Sequence, residues 1–175
     1  LLYYSKNING LEMFNVEKAY QQQELTQYYL SLIKQKIPVF VTSGCDSHKW
    51  SIDIYQIIKD YEMWGRQTWV FADDLSQAAI LDALRRGRSY AVNHRVRLEN
   101  LSYIPDFQKQ EVEHPKFKFS VVLDHALSKP KAVIIYRDGE LVKKSYKKYP
   151  AGLSRFNYEW EDNDVNRGEH WYIIE

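Results

Sequence analysis

The feature that most constrains the fold is a change of hydrophobic periodicity near His94. Upstream, short apolar runs alternate with segments whose apolar residues recur at three- and four-residue steps, the pattern of strands alternating with helices. Downstream, strand-like segments are separated by turn signals, and several of them alternate apolar with polar residues. The sequence therefore predicts an α/β part over residues 1–95 and an all-β part, a small antiparallel β-sandwich, over residues 96–175.

The α/β part opens with a strand–helix–strand unit. The segment "GLEMFN" (10–15) is a short strand candidate, and the apolar run 39–41 is a second strand, of the kind buried in parallel sheets. Between them, Pro38 ends a predicted helix whose apolar face is made of Leu25, Tyr29, Leu32 and Ile33. Two strands joined by a helix imply a parallel pair with a right-handed crossover.

Three further elements have clear local signals. The segment "RQTWVF" (66–71) predicts a strand, and "DDLSQAAILDALRRGR" predicts a helix capped by Asp74 or Ser76, with Gly87 in the left-handed position after its end. The segment "RDGE" (137–140) predicts a hairpin turn, since Asp-Gly tolerates positive φ values.

Composition excludes several classes of protein. The formal net charge is +1, so neither a nucleic-acid stripe nor an acidic tail stands out, and "KKSYKK" (143–148) is interpreted as a solvated strand and turn. No apolar run reaches the roughly 18 residues of a membrane span. The single cysteine fits a reducing compartment and slightly favours the cytoplasm. Since we expect the sequence to begin inside a larger protein, a secretion signal upstream stays open.

The loop "TSGCDSH" contains the strongest candidate for chemistry, because it leaves the carboxyl end of a predicted buried strand. Asp46 and His48 offer an oxygen and a nitrogen ligand that suit Zn, Mn or Fe. The alternative is an Asx turn beside a surface histidine. Cys45 fits a packed structural cysteine better than a ligand.

Three other residues are candidates for contacting a substrate or supporting the ligands. Glu12 lies inside an otherwise apolar strand, where a buried carboxylate needs a partner, water or a cation. Asn15 follows that strand and suits a helix N-cap as well as a ligand. Arg66 could hold an anionic substrate bidentately or form a surface ion pair. The remaining histidines have no ligand spacing, and most are predicted at the surface: His94, His114, His125 and His170.

In their order along the chain, "GLEMFN", "VFVTSGCDSH" and "RQTWVFADDLSQAAILDALRRGRSYAVN" resemble the C-terminal part of a PHP (polymerase and histidinol phosphatase) domain. The branch that they resemble is that of the metal-dependent phosphoesterases, which includes some carbamate-ester hydrolases. Its pattern "AL-x-x-GR-x-Y" is matched by Ala83, Leu84, Gly87, Arg88 and Tyr90. The resemblance covers most of the chain and is firmer over 10–93 than over 96–175.

The resemblance implies a distorted (β/α)7 barrel, of which this chain would form the C-terminal portion, followed by the β-sandwich. It implies that Asp46 and His48 are metal ligands, each for a different ion of a cluster of Mn, Zn or Fe. Water activated by these ions would attack a small phosphoester or a related ester. The expected function is thus that of a metal-dependent hydrolase, and no dinucleotide fingerprint or phosphate loop is present.

The chain departs from the family in lacking its early His-x-His pair, the following Asp and His, and the bridging Glu. We expect these residues upstream of Leu1, in a missing N-terminal part of the barrel, so the site in these residues is incomplete. Glu12 lies too close to the last motif to be the bridging Glu. The alternative is a non-catalytic PHP-like scaffold whose β-sandwich binds a protein or a carbohydrate.

Overall fold

The computed structural model describes residues 10–14, 19–44, 66–92, 96–107, 111–123, 132–146 and 154–175. In chain order the elements are β1 (Gly10–Phe14), α1 (Ala19–Lys34), β2 (Phe40–Ser43), β3 (Gln67–Val70), α2 (Gln77–Arg85), β4 (Ser89–Val92), β5 (Val96–Glu99), β6 (Lys116–Leu123), β7 (Ala132–Arg137), β8 (Glu140–Tyr146), β9 (Arg155–Glu161) and β10 (Tyr172–Ile174). None of the helices described is long and apolar enough to cross a membrane.

The strands β1 and β2 form a parallel pair, as predicted, and α1 connects them in the chain. The helix lies against β1, and the residues buried there include Met13, Leu32, Ile33 and Val39. Leu32 and Ile33 belong to the predicted apolar face of the helix. Burial of such side chains contributes about 1.5–3 kcal/mol each relative to exposure, so packing rather than helix propensity holds α1 in place.

The strands β3 and β4 form an antiparallel pair in which Trp69 lies opposite Tyr90, and their rings stack at a centroid distance of 6.2 Å. The predicted portion of a (β/α)7 barrel is therefore wrong, because a barrel of that type requires successive strands to run parallel. Instead, the described residues form small, mostly antiparallel sheets with two helices. Hydrophobic periodicity locates strands, but it does not determine whether two of them pair parallel or antiparallel.

The helix α2 has the predicted caps. The Ser76 side chain accepts a hydrogen bond from the Ala79 backbone N–H, which identifies Ser76 rather than Asp74 as the N-cap. Gly87 follows the helix with φ +71°, and a Cβ there would lie 2.5 Å from the Phe107 ring. The Phe107 ring also stacks on Trp171 at a centroid distance of 6.0 Å. The end of α2 is thereby joined to the C-terminal segment.

The described residues of the range 96–175 form two three-stranded antiparallel sheets, with the orders β5-β6-β9 and β10-β7-β8. The two sheets share one apolar core, made of Phe119, Val121, Leu123, Val133, Ile135, Phe156 and Tyr158. The predicted hairpin is confirmed: β7 pairs with β8 through a turn in which Asp138 has φ +52° and Gly139 has φ +80°.

This turn lies against the end of α1. A Cβ on Gly139 would lie 3.0 Å from the Leu30 carbonyl oxygen, and the Lys34 ammonium donates to the Glu140 carboxylate at 2.6 Å. Both charged groups of that ion pair are exposed, so solvent screens their attraction and the pair adds little to stability. The close backbone approach at Gly139 is the more specific contact.

Candidate functional site

The carboxyl end of β2 is fixed by contacts to three other strands. Gly44 donates its backbone N–H to the Phe14 carbonyl at 2.9 Å, and the Ser43 hydroxyl donates to the Val92 carbonyl at 2.8 Å. Thr68 accepts from the Ser43 backbone N–H at 2.8 Å and donates its hydroxyl to the Ser43 carbonyl at 3.1 Å. The backbone is thus held in place up to Gly44, directly before the loop that contains the candidate ligands.

Glu12 reaches this strand end. It lies opposite Thr42 in the parallel register, and its carboxylate oxygen Oε1 would lie 2.5 Å from a Cβ placed on Gly44. Only a residue without a side chain leaves that space to the carboxylate. The premise that Glu12 is buried is wrong, because its side chain is exposed at the end of the sheet.

Of the predicted site residues, Asp46, His48 and Asn15 lie outside the described residues, as does Cys45. Arg66 is described: it is partly buried and directly precedes β3, two residues before Thr68. Since Thr68 bonds Ser43, Arg66 is close in sequence to the contact that fixes the end of β2. Of the predicted residues that the structure describes, Glu12 lies beside Gly44, and Gly44 precedes Asp46 by two positions in the sequence.

Within the part of the chain that the structure describes, no group of three or more His, Cys, Asp or Glu side chains is placed to hold a metal ion. The described part of the site thus consists of one carboxylate, a glycine and a fixed strand end.

Sequence reasoning missed a histidine–carboxylate pair. His170 is one of four histidines of which most are predicted at the surface; it is partly buried, and its Nδ1 lies 2.6 Å from Asp138 Oδ2. Its Nε2 lies 2.8 Å from the Asn166 carbonyl. Both ring nitrogens face acceptors, so the doubly protonated imidazolium satisfies both. The hydrogen bond to Asp138 raises the pKa of His170, which favours the imidazolium form. The Asp138–His170 pair thus acts as a clamp on the C-terminal segment.

A second missed group is the buried carboxylate of Asp162, which is 2% exposed. It accepts hydrogen bonds from Arg137 at 2.7 Å and from the Tyr172 hydroxyl at 2.8 Å. Burial and then the bond to Asp162 raise the pKa of Tyr172. A signal for this group existed: Phe156, Tyr158 and Trp160 alternate on the core side, and continuing that alternation places Asp162 inward.

Both missed groups hold segments of the β-rich part together. Asp138 binds His170 and the Trp171 backbone N–H, and Asp162 binds the side chains of Arg137 and Tyr172. By contrast, the end of the β1–β2 pair presents an exposed carboxylate beside a glycine, at the edge where α/β units place ligands. That strand end is the candidate functional site.

Comparison of the chain with family models, with curated proteins and with solved structures gave no match. The resemblance to the PHP family accordingly rests on the motifs of the sequence, and function has to be argued from the strand end itself.

Proposed function

We propose that the carboxyl end of the β1–β2 pair, together with Asp46 and His48, forms part of a divalent-metal site, and that the protein is a metal-dependent hydrolase of small phosphoesters or related esters. The observation that carries the proposal is the approach of the Glu12 carboxylate to Gly44. It brings an acidic side chain to the residue from which the "CDSH" loop begins.

The chemistry of the residues fits such an ion. Carboxylate oxygens and an imidazole nitrogen are ligands that Mn, Zn and Fe accept, and Glu12, Asp46 and His48 supply these types. An ion bound there would supply activated water and stabilise the developing negative charge.

The remaining residues at the strand end would position rather than react. The bonds of Ser43 to Thr68 and to Val92 hold the backbone from which the loop departs, so the ligands start from a fixed point. Arg66 precedes Thr68 by two residues, and a guanidinium there would bind an anionic ester oxygen. Glu12 adds negative charge, which favours a cation over an anion directly at the strand end.

The test uses the full-length protein. Bound Mn, Zn and Fe are measured by mass spectrometry after purification, and hydrolysis of an aryl phosphate ester is followed with each metal added. We expect Asp46→Asn and His48→Ala to lose bound metal and at least about a hundredfold in turnover. Glu12→Gln should weaken metal binding about tenfold or more.

Glu161→Gln is the matched control, because Glu161 is an exposed glutamate at the end of β9, in the β-rich part of the chain. It should leave metal content and turnover unchanged. Unaltered metal content in both Asp46→Asn and His48→Ala would refute the proposed site, and metal binding without any ester hydrolysis would refute the proposed activity.

A further inference from the structure

The outward face of the sheet β10-β7-β8 carries several large apolar side chains. In β7, Val133 and Ile135 are buried in the shared core, so the alternation of the strand directs Ile134 and Tyr136 to the opposite face. Tyr136 lies opposite Leu141 of β8 and Ile173 of β10 in the register. The outward face is therefore largely apolar across all three strands.

Part of this face is strongly exposed. Leu141 is 55% exposed and Tyr146 is 71% exposed, while Ile134, Tyr136 and Ile173 are partly buried by their neighbours. Large exposed apolar side chains that lie together on one sheet face mark an interaction surface more often than isolated ones do.

Two opposite charges flank the centre of the face. Ile134 exchanges both of its backbone hydrogen bonds with Glu175, at 2.8 Å each, and lies opposite Lys144 on the other side. The Lys144 ammonium lies 5.1 Å from the centre of the Tyr146 ring, and the Tyr136 hydroxyl donates to Glu175 at 3.5 Å. Glu175, Ile134 and Lys144 therefore form a row across the three strands, with an acidic residue at one end, an apolar residue in the middle and a basic residue at the other end.

We propose that this face, defined by Ile134, Tyr136, Leu141, Lys144, Ile173 and Glu175, binds the same face of a second copy of this chain. A two-fold axis parallel to β7, midway between the β10-β7-β8 sheets of the two copies, places Ile134 of one copy over Ile134 of the other. Neighbouring strands lie about 4.8 Å apart, so the same rotation places Glu175 of each copy over Lys144 of the other. Two identical ion pairs then flank an apolar centre.

The order of charges is what favours a second copy over another occupant. An acidic partner would be attracted by Lys144 and repelled by Glu175. A basic partner would be attracted by Glu175 and repelled by Lys144. A two-fold contact satisfies both charges with one interface, as isologous dimers do. Nearly aligned strands are also an established geometry for two sheets that pack face to face, with about 10 Å between them.

The expected dimer is weak. The face is only three strands wide, so it buries less than the roughly 800 Å² per partner of a standard interface. We therefore expect a reversible equilibrium that sedimentation velocity detects over a series from about 1 μM to about 1 mM chain.

Charge reversal provides the decisive test on the full chain. Lys144→Glu and Glu175→Lys should each weaken the dimer at least about tenfold, because each turns two attractive pairs into two repulsive ones. The double variant K144E/E175K should restore it, since the pairs are re-formed with reversed sign. An equimolar mixture of the two single variants should form mixed dimers that neither variant forms alone.

Lys118→Glu, which reverses an exposed lysine of β6 in the other sheet, is the control and should leave the dimer unchanged. If a charge variant unfolds, Leu141→Ser with Tyr146→Ser removes the two most exposed apolar side chains on this side of the sheet and should also weaken the dimer. A chain that stays monomeric throughout the series overturns the proposal, as does a dimer that is indifferent to the single reversals. A double variant that fails to recover would equally exclude the two-fold pairing.

Discussion

The Asp138 carboxylate holds the His170 imidazole with 2.6 Å between Oδ2 and Nδ1. The other carboxylate oxygen accepts the Trp171 backbone N–H at 2.9 Å, and the Asp138 backbone N–H donates to the Trp171 carbonyl at 2.8 Å. One turn residue thus binds two consecutive residues of the C-terminal segment. Through the Trp171 ring, which stacks on Phe107, the clamp extends to the end of α2.

This clamp should make stability depend on pH. The hydrogen bond to Asp138 raises the pKa of His170 in the folded state, against burial and the charge of Arg137, which lower it. A raised folded pKa stabilises the fold fully below the unfolded value of about 6.5 and ceases to do so as the pH rises through the folded value.

Asp138→Asn tests the clamp, since asparagine tolerates the φ of +52° at this position and keeps an acceptor for Trp171. The free energy of unfolding in urea should be about 1 kcal/mol lower in the variant at a pH of about 5.5, and the difference should shrink towards a pH of about 9. A difference of the same size at both pH values would contradict the assignment.

The carboxylate of Asp162 should be among the most costly polar groups to remove. It is 2% exposed, and both Arg137 and Tyr172 donate to it. Asp162→Ala leaves the partly buried Arg137 guanidinium without this partner, and we expect a loss of about 3–5 kcal/mol in the free energy of unfolding. Tyr172→Phe removes one hydrogen bond and should cost about 1 kcal/mol. Chemical denaturation of both variants measures the two losses in the free energy of unfolding. Similar losses would contradict the prediction that Asp162→Ala is the more costly change.

Local signals predicted the elements that depend on neighbours in sequence. The parallel β1–β2 pair followed from the helical periodicity before Pro38 and the apolar strand after it, and the hairpin followed from Asp138-Gly139. By contrast, β4 was not predicted as a strand, and the antiparallel pairing of β3 with β4 joins residues about 20 positions apart, which no local pattern specifies. A resemblance of motifs could not replace that information, and the expected barrel was wrong.

The candidate site was predictable to a similar degree. The sequence indicated that Glu12 lies in a strand and that Gly44 allows a sharp bend. Their approach depends on the register that sets Glu12 opposite Thr42, and register is decided by the packing of both strands. The Asp138–His170 pair joins residues 32 positions apart, so no ligand spacing could identify it.

Gly87 should be intolerant of substitution for two separable reasons. Its φ of +71° disfavours any side chain, and a Cβ would lie 2.5 Å from the Phe107 ring. Gly87→Ala should therefore cost about 2–3 kcal/mol in the free energy of unfolding, of which about 1 kcal/mol comes from the backbone conformation.

A double-mutant cycle separates the two contributions. In a Phe107→Ala background the contact is absent, so Gly87→Ala should cost only the backbone part of about 1 kcal/mol. Thermal or urea unfolding of the four proteins gives the coupling between the two positions. Equal costs of Gly87→Ala in both backgrounds would show that the Phe107 ring does not constrain this glycine.

Gly44→Ala tests the proposed metal site without removing any ligand. An added Cβ would lie 2.5 Å from Glu12 Oε1, and this atom is the far end of a flexible side chain that can move away. Gly44 does not have a positive φ, so alanine is compatible with the backbone. The free energy of unfolding should thus stay within about 0.5 kcal/mol of the original, while displacement of the carboxylate should weaken Mn²⁺ binding about tenfold. Isothermal titration with Mn²⁺ measures this on the full-length protein.

In a Glu12→Gln background the same substitution should have almost no further effect, because the carboxylate it displaces is already gone. A tenfold loss in both backgrounds would mean that Gly44 acts on the loop itself rather than through Glu12.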